Sequence, residues 1–177
     1  QGNVVVRVHD VEERQPVASC VIASDEDLRA GWSGDDALLI TSNQEQLRVW
    51  EASVGNELAR LKAPKVEIAR WSPTDQKLAV VAESTVQVWD AVRSELLASF
   101  RDKQLKTEFV NVEWSPDGNR IATAGWHGLV NVWEANSGRL LHELVGHVPR
   151  RFVRSVVWSS DGKLLASGGW DQSVKIW

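Results

Sequence analysis

The sequence predicts an all-β chain built from one four-stranded antiparallel unit, repeated about four times. Three observations carry that expectation. The tryptophans fall on two evenly spaced ladders. Each Trp of one ladder closes a strict apolar–polar alternation, and each Trp of the other is followed by turn residues. Helical repeats of similar period need 3.6-residue periodicity, and no segment shows it.

The first ladder is Trp32, Trp71, Trp114 and Trp158, spaced 39, 43 and 44 residues apart; the second is Trp50, Trp89, Trp133 and Trp177, spaced 39, 44 and 44. Eight of the ten Trp belong to this pattern, which gives the skewed aromatic content (no Tyr, three Phe) a positional cause. After the first-ladder residues come Gly34-Asp35-Asp36, Pro73-Thr74-Asp75, Pro116-Asp117-Gly118 and Ser160-Asp161-Gly162. Pro presets φ, Asp caps the backbone and Gly supplies positive φ, the ingredients of a tight hairpin. Second strands are expected at 37–41, 77–82, 120–124 and 163–167. The third strands read Leu47-Arg48-Val49, Val86-Gln87-Val88, Val130-Asn131-Val132 and Val174-Lys175-Ile176, period-two patterns that suit a half-buried strand.

A fourth strand is expected after each closing Trp, with apolar residues eight and eleven positions on: Leu58 and Leu61, Leu97 and Phe100, Leu141 and Leu144. Val6-Arg7-Val8 before His9 repeats the third-strand pattern with His in place of Trp, so the same offsets reach Val17 and Cys20. The repeat units are therefore about 1–9 (partial), 10–50, 51–89, 90–133 and 134–177, all within one segment spanning 1–177. A four-stranded unit cannot bury both faces alone, so neighbours must stack, and radial stacking of such sheets gives a β-propeller.

Trp114-Ser115-Pro116-Asp117-Gly118, Val88-Trp89-Asp90 and the stretch from Gly146-His147 to Ile176-Trp177 resemble WD40 repeats, over nearly the whole chain. The resemblance implies a buried hydrogen-bonded tetrad in the last repeat: His147, Ser167, Asp171 and Trp177. In isolation this Ser-His-Asp set would read as a hydrolase triad; at tetrad positions it is structural. In the other repeats Gln44, Glu83 and His127 stand at the Asp position and Ile40, Ala79 and Thr123 at the Ser position, with no Gly-His pair. Their closing Trp are expected to be held mainly by packing, in less rigid blades. The resemblance also implies that the residue before the turn Asp points onto the top face. Here those residues are Trp126 and Trp170, the two tryptophans outside the ladders, expected to lie side by side.

Arg150, Arg151 and Arg154 cluster around Phe152 and suit a phosphate, an acidic partner or simple solvation. The net charge of −4 argues against a nucleic-acid partner. His9, His127 and His142 share no metal-ligand spacing, and the lone Cys20 is expected to act as a small buried hydrophobe. No catalytic residue, cofactor site or metal site is expected, and no apolar run is long enough to span a membrane. With Gln1 first and no Met, the chain reads as a piece of something longer. WD40 rings commonly hold seven or eight blades, so the remainder is expected from more polypeptide or from a second copy, a dimer of four-blade halves.

The function these features point to is a non-catalytic, cytoplasmic protein-interaction scaffold. It would be the partner-binding or sensor part of a larger protein, meeting its partner through Trp126, Trp170, Arg151 and Arg154. Two alternatives stay open. One is a ligand-binding or enzymatic propeller using the central channel, against which the innermost strands read mostly apolar. The other is an engineered or excised fragment that assembles with itself into a full ring.

Overall fold

The structure, a computed structural model, describes residues 3–10, 12–23, 29–43, 46–63, 65–101 and 109–177. An opening pair, β1 (Asn3–His9) and β2 (Pro16–Ala23), is followed by three full antiparallel sheets. These are β3 (Arg29–Trp32), β4 (Leu38–Ser42), β5 (Leu47–Glu51) and β6 (Glu57–Leu61); then β7 (Val66–Trp71), β8 (Lys77–Ala82), β9 (Thr85–Asp90) and β10 (Glu95–Phe100); then β11 (Phe109–Trp114), β12 (Arg120–Gly125), β13 (Leu129–Glu134) and β14 (Leu140–Val145). A closing sheet has three strands, β15 (Val153–Trp158), β16 (Leu165–Gly169) and β17 (Val174–Ile176). The only helical element among the described residues is a single 3-10 turn, Trp126–Gly128. Gln44 lies outside the described residues.

In each full sheet the strands pair in chain order, and the sheets stack face to face in chain order. The first strands β3, β7, β11 and β15 each lie against the next. Stacking is driven by apolar burial between neighbours. Leu47 and Val49 pack with Val66; Val86 and Val88 pack with Phe109 and Val112; Val130 and Val132 pack with Val153 and Val156.

The turns after the first-ladder Trp share a feature that sequence reasoning missed. Ser33, Ser115 and Ser159, each directly after its Trp, accept the backbone N–H five residues on, at 2.9–3.0 Å, and donate to Asp35, Asp117 and Asp161. Those carboxylates also accept the N–H two residues on, at 3.1–3.2 Å. The serine hydroxyls, first, hold the three carboxyls below the usual range. A carboxyl pKa lowered on folding stabilises above its unfolded value, and that contribution fades as pH falls towards the folded value. Melting temperature should therefore hold above about pH 5 and drop below about pH 4. A variant carrying Asn at all three positions should lose less on acidification; an identical drop would show that the turns are not its source.

Two sequence expectations need correction. Of the positions at offset eight, Val17, Leu58 and Leu97 are exposed and Leu141 is half-buried, whereas Ala18, Ala59 and Ala98 are buried with Cys20, Leu61 and Phe100. Alternation along a strand puts offsets of nine and eleven on one face and eight on the other. Inner strands are also more polar than expected: Arg29, Glu67, Arg70, Asn111 and Glu113 all lie on them. Burial raises the Glu113 carboxyl, and Arg70 beside it pulls the other way.

Candidate functional site

The four residues implied as a tetrad form one hydrogen-bonded chain in the closing sheet. His147 Nδ1 lies 3.0 and 2.9 Å from the Asp171 carboxylate oxygens, and its Nε2 lies 2.8 Å from Ser167 Oγ. The Trp177 indole N–H donates to the same Oγ at 2.9 Å. Asp171 also accepts the Val148 N–H at 2.9 Å and the Ser173 hydroxyl at 2.9 Å. These donors, the Val148 N–H foremost, hold its carboxyl well below the usual carboxylate range. Gly146 lets Trp177 approach: a Cβ there would sit 2.6 Å from the indole.

The Ser-His-Asp order has the hydrogen-bond distances of a hydrolase triad, but the surroundings differ. Ser167 is 2% exposed and its oxygen already accepts from Trp177, so no substrate carbonyl can reach it.

Elsewhere, equal-offset counting misplaced the hydroxyl position. Thr123 and Ser167 pair with Asn131 and Lys175, eight residues on, whereas Thr41 and Val80 pair with Arg48 and Gln87, seven on. The earlier hairpins are one residue shorter, which moves the position from Ile40 and Ala79 to Thr41 and Val80. Closing tryptophans there are not held by packing alone. Trp50 donates to Thr41 at 2.8 Å, Trp133 to Thr123 at 2.9 Å and Trp89 to Gln87 at 3.0 Å. Two first-ladder tryptophans instead bridge sheets: Trp71 donates to the Gly31 carbonyl at 3.2 Å and Trp114 to the Arg70 carbonyl at 3.0 Å, whereas the buried Trp158 indole N–H makes no such bond.

Trp126 and Trp170 sit in the turns between second and third strands of adjacent sheets, and the structure places Phe152 between them. Ring centroids are 4.6 Å apart for Trp126–Phe152 and 5.0 Å for Phe152–Trp170, both edge-to-face. The Trp170 backbone N–H donates to the Phe152 carbonyl at 2.8 Å, tying the loop before β15 to the turn after β16. Trp126 is half-buried, whereas Trp170 is 55% exposed with the Arg154 guanidinium 5.6 Å from its ring centre. Arg150 and Arg151 are exposed in the loop before β15. Among the described residues no group of three His, Cys, Asp or Glu could hold a metal ion. No helix of those residues is long and apolar enough to cross a membrane.

Residues 95–134 and 138–177 match the family described as WD domain, G-beta repeat. No curated protein matches the chain in sequence. Among solved structures, it is similar to the computationally designed Ika4 protein, at TM-score 0.77 and 20% identity over 92% of this chain and 97% of that one. It is also similar to the C-terminal WD40 domain of Sif2, at TM-score 0.79 and 18% identity over 97% and 51%. A third similar structure is Chaetomium thermophilum Sqt1 bound to the N-terminus of the ribosomal protein L10, at TM-score 0.79 and 22% identity over 94% and 48%. The chain is thus a β-propeller segment of about four blades, spanning about half the length of the Sif2 and Sqt1 chains. Two of its repeats, residues 95–134 and 138–177, match the WD40 family model, and the earlier sheets share the propeller fold.

Proposed function

We propose that the chain is a non-catalytic protein-interaction scaffold whose contact surface is the aromatic–basic patch of Trp126, Phe152, Trp170, Arg151 and Arg154. The observation that carries this reading is Trp170, more than half exposed yet held in place by Phe152 and capped by Arg154. A rigid, exposed Trp beside Arg is the composition of a binding hot spot. Arg150 and Arg151 in the loop before β15, with Arg154 on the strand, favour an acidic protein segment. Sqt1, of the same fold, holds a segment of another protein. The lone, buried Cys20 thiol fits a reducing, intracellular compartment.

The test is selection of a random peptide library on the immobilised chain. Selected peptides should be acidic, and Trp170→Ala should weaken them by about 2 kcal/mol, roughly thirtyfold, with an unchanged melting temperature. Trp126→Ala should weaken them too, at some cost in stability because the ring is half-buried. Peptides that bind Trp170→Ala as well as the parent would place the contact surface elsewhere.

A further inference from the structure

β10 is the outermost strand of the second full sheet and, among the described residues, pairs with β9 alone, so its other edge is open. A complete sheet flanks it on either side in the stack, and Leu96 and Leu97 are still 49% and 41% exposed. An open edge is a template for another strand, and proteins blunt theirs with charged side chains. The other two full sheets carry such a charge ten positions beyond the closing Trp: Arg60 on β6 and Glu143 on β14, both exposed. At the same position β10 carries Ser99, and no charge interrupts Leu96-Leu97-Ala98-Ser99-Phe100. A bulge at Leu97 twists the strand, but Leu58 and Leu141 are bulged in the same way, so it does not replace the charge.

The charges of β10 stand at its two ends instead. Glu95 opens the strand and Arg101 follows it, both exposed and neither in an ion pair among the described residues.

We propose that two copies of this chain associate edge to edge through β10, antiparallel about a two-fold axis at Ala98, joining two four-stranded sheets into one of eight strands. The surface is separate from the aromatic–basic patch and does not depend on it. Read backwards, the strand complements itself: Glu95 stands opposite Arg101 of the second copy, and Leu96 opposite Phe100. The two-fold makes each of these contacts occur twice. Charge selects the register. Centring the pair on Glu95 or on Arg101 sets like charges face to face, and so does parallel pairing in register. Between the charges only uncharged side chains meet, which removes the obstacle that Arg60 and Glu143 present on the neighbouring edges.

The contact is one strand pair long, below the roughly 1,200 Å2 of a stable interface, so it should dissociate on dilution. In sedimentation of the full chain, the mass should therefore rise from one chain to two as concentration increases. Ser99→Arg, which copies Arg60, should keep the melting temperature of the dilute protein and hold the chain single wherever the parent pairs. Glu95→Arg and Arg101→Glu should each weaken the dimer by about tenfold, because two pairs turn from opposite to like charge. Glu95→Arg combined with Arg101→Glu restores both pairs with their signs exchanged and should dimerise as the parent does. A parent that stays a single chain at the highest concentration reached, or a dimer that Ser99→Arg leaves intact, would overturn pairing through β10. Single charge reversals without effect, or a loss that the double reversal does not restore, would overturn it as well.

Discussion

Trp133→Ala is expected to lower stability by about 3–5 kcal/mol, as for other buried aromatics reduced to a methyl group. Trp133 is 4% exposed, packs within the cluster shared by the second and third full sheets, and stacks on Phe100 with centroids 5.0 Å apart. Removing it opens a cavity between blades rather than at an edge, and the rigid strands on both sides leave little room for collapse. It also strands the Thr123 hydroxyl, which is buried and accepts the indole N–H. Trp133→Phe separates the two contributions: it keeps most of the volume and loses the hydrogen bond, at about 1 kcal/mol plus a packing remainder. Denaturant melts of the two variants beside Trp170→Ala check this. A Trp133→Ala midpoint no lower than that of Trp170→Ala would show that the second ladder does not hold the blades.

The strands and their order were legible because period-two alternation and turn residues are local signals, repeated often enough to be seen against noise. What stayed hidden depends on register and on contacts between units. Ile40 and Ala79 were misassigned because a hairpin shortened by one residue moves every partner by one, and only the pairing of Thr41 with Arg48 reveals it. The role of the first ladder was hidden too, since the acceptors of Trp71 and Trp114 are backbone carbonyls that carry no residue signature. The serine caps were missed although a signal for them was present: Ser33, Ser72, Ser115 and Ser159 each follow a first-ladder Trp, and a repeated hydroxyl before a turn Asp is a capping signal. Phe152 was noted only as the centre of a basic cluster. Its place between Trp126 and Trp170 comes from two adjacent blades, which no single repeat encodes.

His147→Ala is expected to cost about 1–3 kcal/mol, the penalty for leaving buried polar groups without a partner. The size follows from what remains. Asp171 keeps the Val148 and Ser173 N–H groups and the Ser173 hydroxyl, so its charge is not abandoned, and the larger loss expected for a broken buried ion pair does not apply. Ser167 keeps the Trp177 N–H as donor but loses its ring-nitrogen partner while remaining 2% exposed. Because His147 and Trp177 meet on one hydroxyl, their substitutions should couple. A double-mutant cycle between them should give an interaction above about 0.5 kcal/mol, while a cycle between His147 and the distant Trp50 should be additive. A hydrolytic role for the same Ser-His-Asp set predicts something else: Ser167→Ala would abolish an esterase activity and leave the melt unchanged. If His147→Ala melts with the parent and its cycle with Trp177 is additive, the hydrogen bonds of the closing sheet contribute nothing to holding β17 against β16.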